Sequence, residues 1–264
     1  MNKCKSEDGT EIYYEIQGEG NITLCFVSGA GGILEHWKLQ QSFAKQFKLL
    51  LPDLGGHGKS ANTKRSQFTM QAFGEDIAAV IQTENLQRVI LIGWSMGGPI
   101  ILEAAKILKD RVIGIIGIDT FFPILGSLYT KNTKEATEQI MQDFREDTSK
   151  KIINLYNTHM NTGIKVSEQL QKEFLQYPPI KNEIFLSEFE ELCYWDVIPF
   201  IDEARYPIKA IIAGLSVPKE KHRNRFKPKI DTIFMEGHGH CLFWADHQTF
   251  NSHLQHLISD ILSN

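Results

Sequence analysis

Gly93-Trp94-Ser95-Met96-Gly97 directly follows the apolar run Arg88-Val89-Ile90-Leu91-Ile92, an order of residue types that fits a serine hydroxyl presented as a nucleophile. A serine flanked two residues away on each side by glycine can occupy a sharp strand-to-helix turn. Its own backbone is strained there, and strand and helix pass too close for larger side chains. The stretch Pro99 to Leu108 supplies the helix. Met96 then lies where the first helical N–H groups lack intrahelical partners, so its backbone N–H is a donor for an oxygen that gains negative charge. A chance G-x-S-x-G in a glycine-bearing loop needs neither the strand before nor the helix after, and both are present here.

Holding such a turn requires alternating strands and helices, and the chain supplies them. Glu11 to Gln17 reads as a first edge strand, and Ile22 to Val27 as a buried strand ending in Ser28-Gly29-Ala30-Gly31-Gly32. Phe47 to Leu51 leads into the turn-rich Asp53 to Ser60. Met70 to Thr83 carries Phe73, Ile77, Val80 and Ile81 at helical spacing. Val112 to Ile118, Ile208 to Ala213 and Ile230 to Met235 are further strands, and a helix closes the chain from Gln248 to Leu262. Between Phe121 and Arg205 the pattern changes to polar-amphipathic stretches, Lys134 to Met160, Ser167 to Gln176 and Asn182 to Trp195, broken by Tyr177-Pro178-Pro179 and Ile198-Pro199. The expected class is α/β, a mostly parallel sheet with helices on both faces. Residues 1–120 and 206–264 form the core, and residues 121–205 form an inserted helical cap placed to act as a lid.

With 264 residues and 42% hydrophobic content, the chain can bury a large core. A net charge of −4 with interspersed signs argues against a nucleic-acid footprint, and the basic stretch Lys219 to Lys229 reads as a solvated helix face. Cys4, Cys25, Cys193 and Cys241 are scattered without metal-ligand spacing, so reduced thiols and no metal are expected. Met1 to Thr10 is polar, without the apolar stretch of an export signal, and no segment approaches a membrane span. The chain reads as cytoplasmic, with a small-molecule partner rather than nucleic acid or membrane. No feature sets an oligomeric state.

Taken together, Gly29-Ala30-Gly31-Gly32, Asp53 with Gly56-His57-Gly58 and Ser60, G-W-S-M-G around Ser95, and Gly237-His238-Gly239-His240 resemble the α/β-hydrolase family in content and order. The resemblance covers nearly the whole chain outside the insertion. It implies the α/β-hydrolase fold, with an eight-stranded, mostly parallel sheet and a helical cap, and the chain order nucleophile, acid, histidine. It implies His240 as general base, with His238 as a structural loop residue and His57 as an architectural one. Many members carry the acid after the strand matching Ile208 to Ala213, where this chain reads Gly214-Leu215-Ser216-Val217. A subset similar to haloalkane dehalogenases carries it one strand earlier, which here is Asp119. The alternative for Asp119 is a strand-end carboxylate capping its own turn. Asp202 and Glu220 are distant substitutes. The resemblance also implies an oxyanion hole made by the backbone N–H groups of Ala30 and Met96. Ser28 stands where members commonly have histidine, and Gly55 where they often have an arginine tether.

The expected function is a serine hydrolase that cleaves a small carboxylic ester or similar activated acyl bond through an acyl-serine intermediate, without metal or organic cofactor. A serine at the turn counts against dehalogenation, which in this fold uses a carboxylate there. Phe121, Phe122, Tyr194, Trp195 and Trp244 are candidates to line an apolar pocket. Carbon–carbon bond hydrolysis and cofactor-free perhydrolysis use the same constellation, and a ligand-binding regulator with weak turnover is the rival from another class.

Overall fold

A computed structural model describes residues 2–121, 133–176, 180–216 and 229–263. Eight strands form one sheet: β1 (Asn2–Lys5), β2 (Glu11–Gln17), β3 (Thr23–Val27), β4 (Lys48–Pro52), β5 (Val89–Trp94), β6 (Val112–Ile118), β7 (Ile208–Ala213) and β8 (Ile230–Met235). Their spatial order is β1-β2-β4-β3-β5-β6-β7-β8. Both pairings of β2, with β1 and with β4, are antiparallel, and every other neighbouring pair is parallel.

The central strands are apolar on both faces because helices cover both. In β3, Leu24 and Phe26 enter one layer while Cys25 and Val27 enter the other, and in β5 Ile90 and Ile92 separate in the same way from Val89 and Leu91. One layer is closed by α1 (Met70–Thr83) and α2 (Gly97–Leu108). The other is closed by the 3-10 stretch Leu34–Lys45, by α8 (Leu242–Ala245) and by α9 (His247–Ser263). Each fully buried Ile or Leu in these layers stabilises the fold by about 2 kcal/mol relative to exposure.

One expectation needs correction. Glu11–Gln17 is the second strand, and the edge belongs to Asn2–Lys5, which pairs Lys3 with Tyr13 and Cys4 with Ile12. Its polar composition hid it, yet lysines on an outer strand are the usual protection against edge-to-edge pairing. The polar-amphipathic stretch Lys134 to Met160 is helical, in two pieces, α3 (Thr133–Glu146) and α4 (Thr148–Asn161). The break falls at Asp147, whose side chain accepts the Lys150 N–H at 3.2 Å and caps the second helix.

The connection from β6 to β7 continues through α5 (Glu168–Leu175), α6 (Asn182–Tyr194) and α7 (Ile198–Glu203). Met141, Phe144, Ile152, Phe185, Phe189 and Cys193 form a separate small apolar cluster among α3, α4 and α6. Tyr177 to Pro179 and the stretch 219–228 lie outside the described residues. Among the described residues, no helix is long and apolar enough to cross a membrane.

Candidate active site

Ser95 adopts a positive φ of 54°, a conformation that costs a residue with a side chain and persists only where its surroundings enforce it. The Ser95 N–H continues the sheet ladder to the Ile118 carbonyl at 3.0 Å, and its own carbonyl accepts the Thr120 hydroxyl at 2.7 Å and the Gly98 N–H at 3.0 Å. The flanking glycines are required by space. A Cβ on Gly93 would be driven into the Gly97 carbonyl, and one on Gly97 into the Val27 carbonyl. Ser95 itself is half-buried and faces a cavity of about 560 Å³.

Asp119 and His240 line the same cavity. His240 Nδ1 lies 2.6 Å from Asp119 Oδ2, a contact that a carboxylate makes with a ring nitrogen carrying its proton. Asp119 is buried, at a φ of 45°, and its N–H donates to the Ile211 carbonyl at 2.8 Å. Its carboxylate has two further donors, the Ala213 N–H to Oδ1 at 2.9 Å and the Ser216 hydroxyl to Oδ2 at 2.6 Å. The end of β7 and the loop after it thus supply donors to the carboxylate of the neighbouring strand. The His240 carbonyl accepts the Trp94 indole N–H at 3.0 Å, so the residue before Ser95 also anchors the loop of the imidazole.

The loop after β3 brings Ala30 to the cavity wall, and Gly29 packs so closely on Ser95 that a Cβ there would meet the serine Cβ at 2.9 Å. Among the described residues, neither the Ala30 nor the Met96 N–H donates a hydrogen bond. Ser28 closes this loop by donating its hydroxyl to the Ile33 carbonyl at 3.0 Å. The tether that Gly55 lacks comes from elsewhere. Asp76 Oδ2 accepts the Gly55 N–H at 3.0 Å and Arg65 Nη1 at 2.9 Å, with Arg65 Nη2 on its other oxygen.

Of the expected pocket residues, Phe121, Tyr194 and Trp195 line the cavity. Trp244 does not: it is buried in the sheet layer with its indole N–H on the His36 carbonyl at 2.7 Å, and Phe122 lies outside the described residues. Asp202 is on the surface, paired with Lys229, while Val217 and Glu220 lie outside the described residues. His238 is held by the Glu236 carbonyl at 2.8 Å, in keeping with a loop role. His57 ties its turn to a helix, with Nε2 3.0 Å from the fully buried Glu188 carboxylate of α6. Burial opposes the His57 imidazolium, but the Glu188 carboxylate and the Gly55 carbonyl outweigh it and hold its pKa above the ordinary histidine value.

Four residues at or near the cavity carried no motif: Ser216, Tyr156, His159 and Glu188. The His159 ring from α4 lies 4.4 Å from the His240 ring, and burial followed by that neighbour lowers its pKa to about 3, so it stays neutral. Cys241 is buried, which pushes its thiol pKa up and keeps it protonated. Among the described residues, no group of three His, Cys, Asp or Glu side chains is arranged to hold a metal ion.

Known proteins share this fold. The sequence model of the family described as alpha/beta hydrolase fold matches residues 22–182. A solved esterase from Exiguobacterium antarcticum superposes with a TM-score of 0.81 at 20% identity, covering 98% of both chains. A thermophilic esterase from Thermogutta terrifontis does so with 0.80 at 18% identity over 99% of both. In sequence, the dihydrolipoyllysine-residue acetyltransferase component of the acetoin cleaving system of Pseudomonas putida is 30% identical over 114 residues, 42% of this chain and 30% of that protein. The matched stretches span about a quarter to a third of the length of the curated relatives.

Proposed function

Because this chain belongs to the alpha/beta hydrolase fold family, we propose that it is a serine hydrolase cleaving a small carboxylic ester or a similarly activated acyl bond. The observation that carries the reading is the 2.6 Å contact of Asp119 with His240 at the wall that also presents Ser95. With Nδ1 committed to Asp119, the other ring nitrogen keeps its lone pair for the Ser95 proton. The Ser95 oxygen then adds to the acyl carbon, and the electron pair of the carbonyl moves onto its oxygen, which the Ala30 and Met96 N–H groups receive. His240 returns the proton to the departing alcohol, leaving acyl-Ser95. Water, deprotonated by His240, releases the acid and restores the serine.

In this reading, residues 1–120 and 206–264 carry the reacting groups and residues 121–205 form a cap over them. Leu155, Phe189, Leu192 and Trp195 make the cap side of the cavity apolar, which suits an acyl chain. A carboxylate already in contact with the imidazole favours turnover over the regulator reading.

The test is hydrolysis of p-nitrophenyl acetate, butyrate and octanoate by the purified chain, with fluorophosphonate labelling located by mass spectrometry. Label is expected on Ser95, and Ser95→Ala is expected to lower kcat by about 10⁴ or more. Turnover surviving in Ser95→Ala would remove the proposal, and tight binding of the esters without turnover would select the regulator.

A further inference from the structure

The peptide unit joining Ala30 to Gly31 is held at both ends by side chains from the helices between β6 and β7. Its carbonyl, Ala30 O, accepts the Tyr156 hydroxyl of α4 at 2.6 Å. Its N–H, on Gly31, donates to Glu188 Oε1 of α6 at 2.9 Å. These partners are 126 and 157 residues away in sequence. Gly31 has a φ of 65°, a left-handed conformation that favours glycine, and a Cβ there would sit 2.5 Å from the Tyr156 oxygen.

Glu188 is fully buried, where a carboxylate without partners is strongly disfavoured. His57 Nε2 stands 3.0 Å from its second oxygen as an ion-pair partner, outside hydrogen-bond alignment, and His57 Nδ1 in turn lies 3.4 Å from the Gly55 carbonyl. The carboxylate is therefore paired by charge with His57 and presents Oε1 to Gly31. Glu188 does not line the cavity, whereas Ala30 and Tyr156 do.

We propose that Tyr156 and Glu188 are positioning residues that clamp the Ala30–Gly31 peptide and so aim the adjacent Ala30 N–H into the cavity as an oxyanion donor. This rests on the reaction proposed above. The N–H of Ala30 and the clamped carbonyl flank one Cα; that N–H turns with φ of Ala30, and while the peptide beyond the Cα is held at both ends such a turn would pull it off its partners, so releasing the clamp frees the donor to swing. A donor must already be aimed when charge develops, because reorientation during the reaction costs part of the stabilisation it offers. The helices between β6 and β7 thereby complete the oxyanion hole as well as covering the cavity, and unseating them releases both ends of the peptide together.

The experiment uses the full chain with three variants, Glu188→Leu, Glu188→Gln and Tyr156→Phe, each checked for folding by circular dichroism and thermal melting. The readouts are kcat and KM for p-nitrophenyl butyrate and Ki for an alkyl trifluoromethyl ketone, which adds to Ser95 to give a bound oxyanion without a leaving group. Glu188→Leu and Tyr156→Phe should each lower kcat by about tenfold or more, less than loss of an oxyanion donor itself, with KM within about twofold. Ki should rise by the factor that kcat/KM falls. Glu188→Gln keeps an oxygen for the Gly31 N–H and should stay within about threefold of wild type. Tyr156→Phe removes only a hydroxyl, so it carries the test if Glu188→Leu does not fold.

Folded variants with wild-type kcat and Ki, or losses confined to KM or melting temperature, would overturn the clamp. Failure of the underlying reaction looks different: wild type would then lack label on Ser95 and Ser95→Ala would retain turnover, and the clamp would fall with it.

Discussion

The strand ends and the helices between β6 and β7 face one cavity but hold their side chains in different ways. Trp94 is in register with Ile118, and Ile118 with Ile211. Ser95 and Asp119 each follow directly, and the backbone N–H of each makes the next ladder bond across the sheet. Their positions are therefore set by main-chain hydrogen bonding that side-chain substitution does not undo. Across the cavity, Tyr156, His159 and Phe189 arrive on helices that share a small cluster of their own. They meet the sheet through side-chain contacts such as Tyr156 on Ala30 and His57 on Glu188. In the reaction proposed above, Ser95 and Asp119 can stay in place on the ladder while the opposite wall is exchanged, which is how one sheet can serve many substrates.

This difference predicts a gradient of effects, steepest at the strand ends. Asp119→Asn should lower kcat for p-nitrophenyl esters by about 10³ to 10⁴, because an amide no longer fixes the tautomer that frees His240 to accept the serine proton. Its circular dichroism should match wild type, since the ladder bond from its N–H is unaffected. Full activity in that variant would take Asp119 out of the reaction. One step further from the reacting atoms, Ser216→Ala removes one of the donors to Asp119 Oδ2 but leaves the Ala213 N–H and His240 in place. A fall in kcat of about tenfold is expected, in line with loss of one hydrogen bond to a charged group. An unchanged kcat would mean that the loop after β7 plays no part in holding the acid.

The same division explains what could be read from the chain alone. β6 and β7 are legible because runs rich in Ile, Val and Ala that are buried on both faces have few other places in a fold, whereas β8, with Asp231 exposed, is marked by Ile233, Phe234 and Met235 at its end. Ser95 was readable because crowding demands glycine at Gly93 and Gly97, which leaves a mark in the sequence. Asp119 carries no such mark, since Gly117-Ile118-Asp119-Thr120 resembles any strand end, and it emerged only through resemblance to a subset of the family. Ser216 sat in plain view in Gly214-Leu215-Ser216-Val217, but a hydroxyl serving a carboxylate on the next strand follows from sheet order rather than spacing. Glu188 and Tyr156 had no readable signal. A buried glutamate on an amphipathic helix looks solvated until the turn holding His57 is folded against it.

The smallest predicted effect lies where the two regions touch outside the cavity. His36, in the 3-10 stretch of the sheet layer, is buried and stacked on Phe174 of α5 with ring centroids 3.8 Å apart. Burial lowers its pKa to about 3, far below the ordinary value of 6.5. Between those values the unfolded chain binds a proton that the folded chain refuses, so stability is present in full above pH 6.5 and is lost as pH falls toward 3. The loss from this group approaches about 1.4 kcal/mol per pH unit at most. His159 acts with the same sign, its folded pKa also lowered to about 3. Asp53 acts against both, since burial raises its pKa to about 6 and favours the folded state as the pH drops below that value. The raw slope therefore mixes opposing groups, and the test is the difference between wild type and His36→Gln. Urea unfolding at pH 7 and pH 5 should show wild type losing about 1 to 2 kcal/mol more than the variant across that interval. Equal losses would mean that the imidazole takes up its proton without leaving Phe174, and that the contact between sheet layer and α5 tolerates a cation.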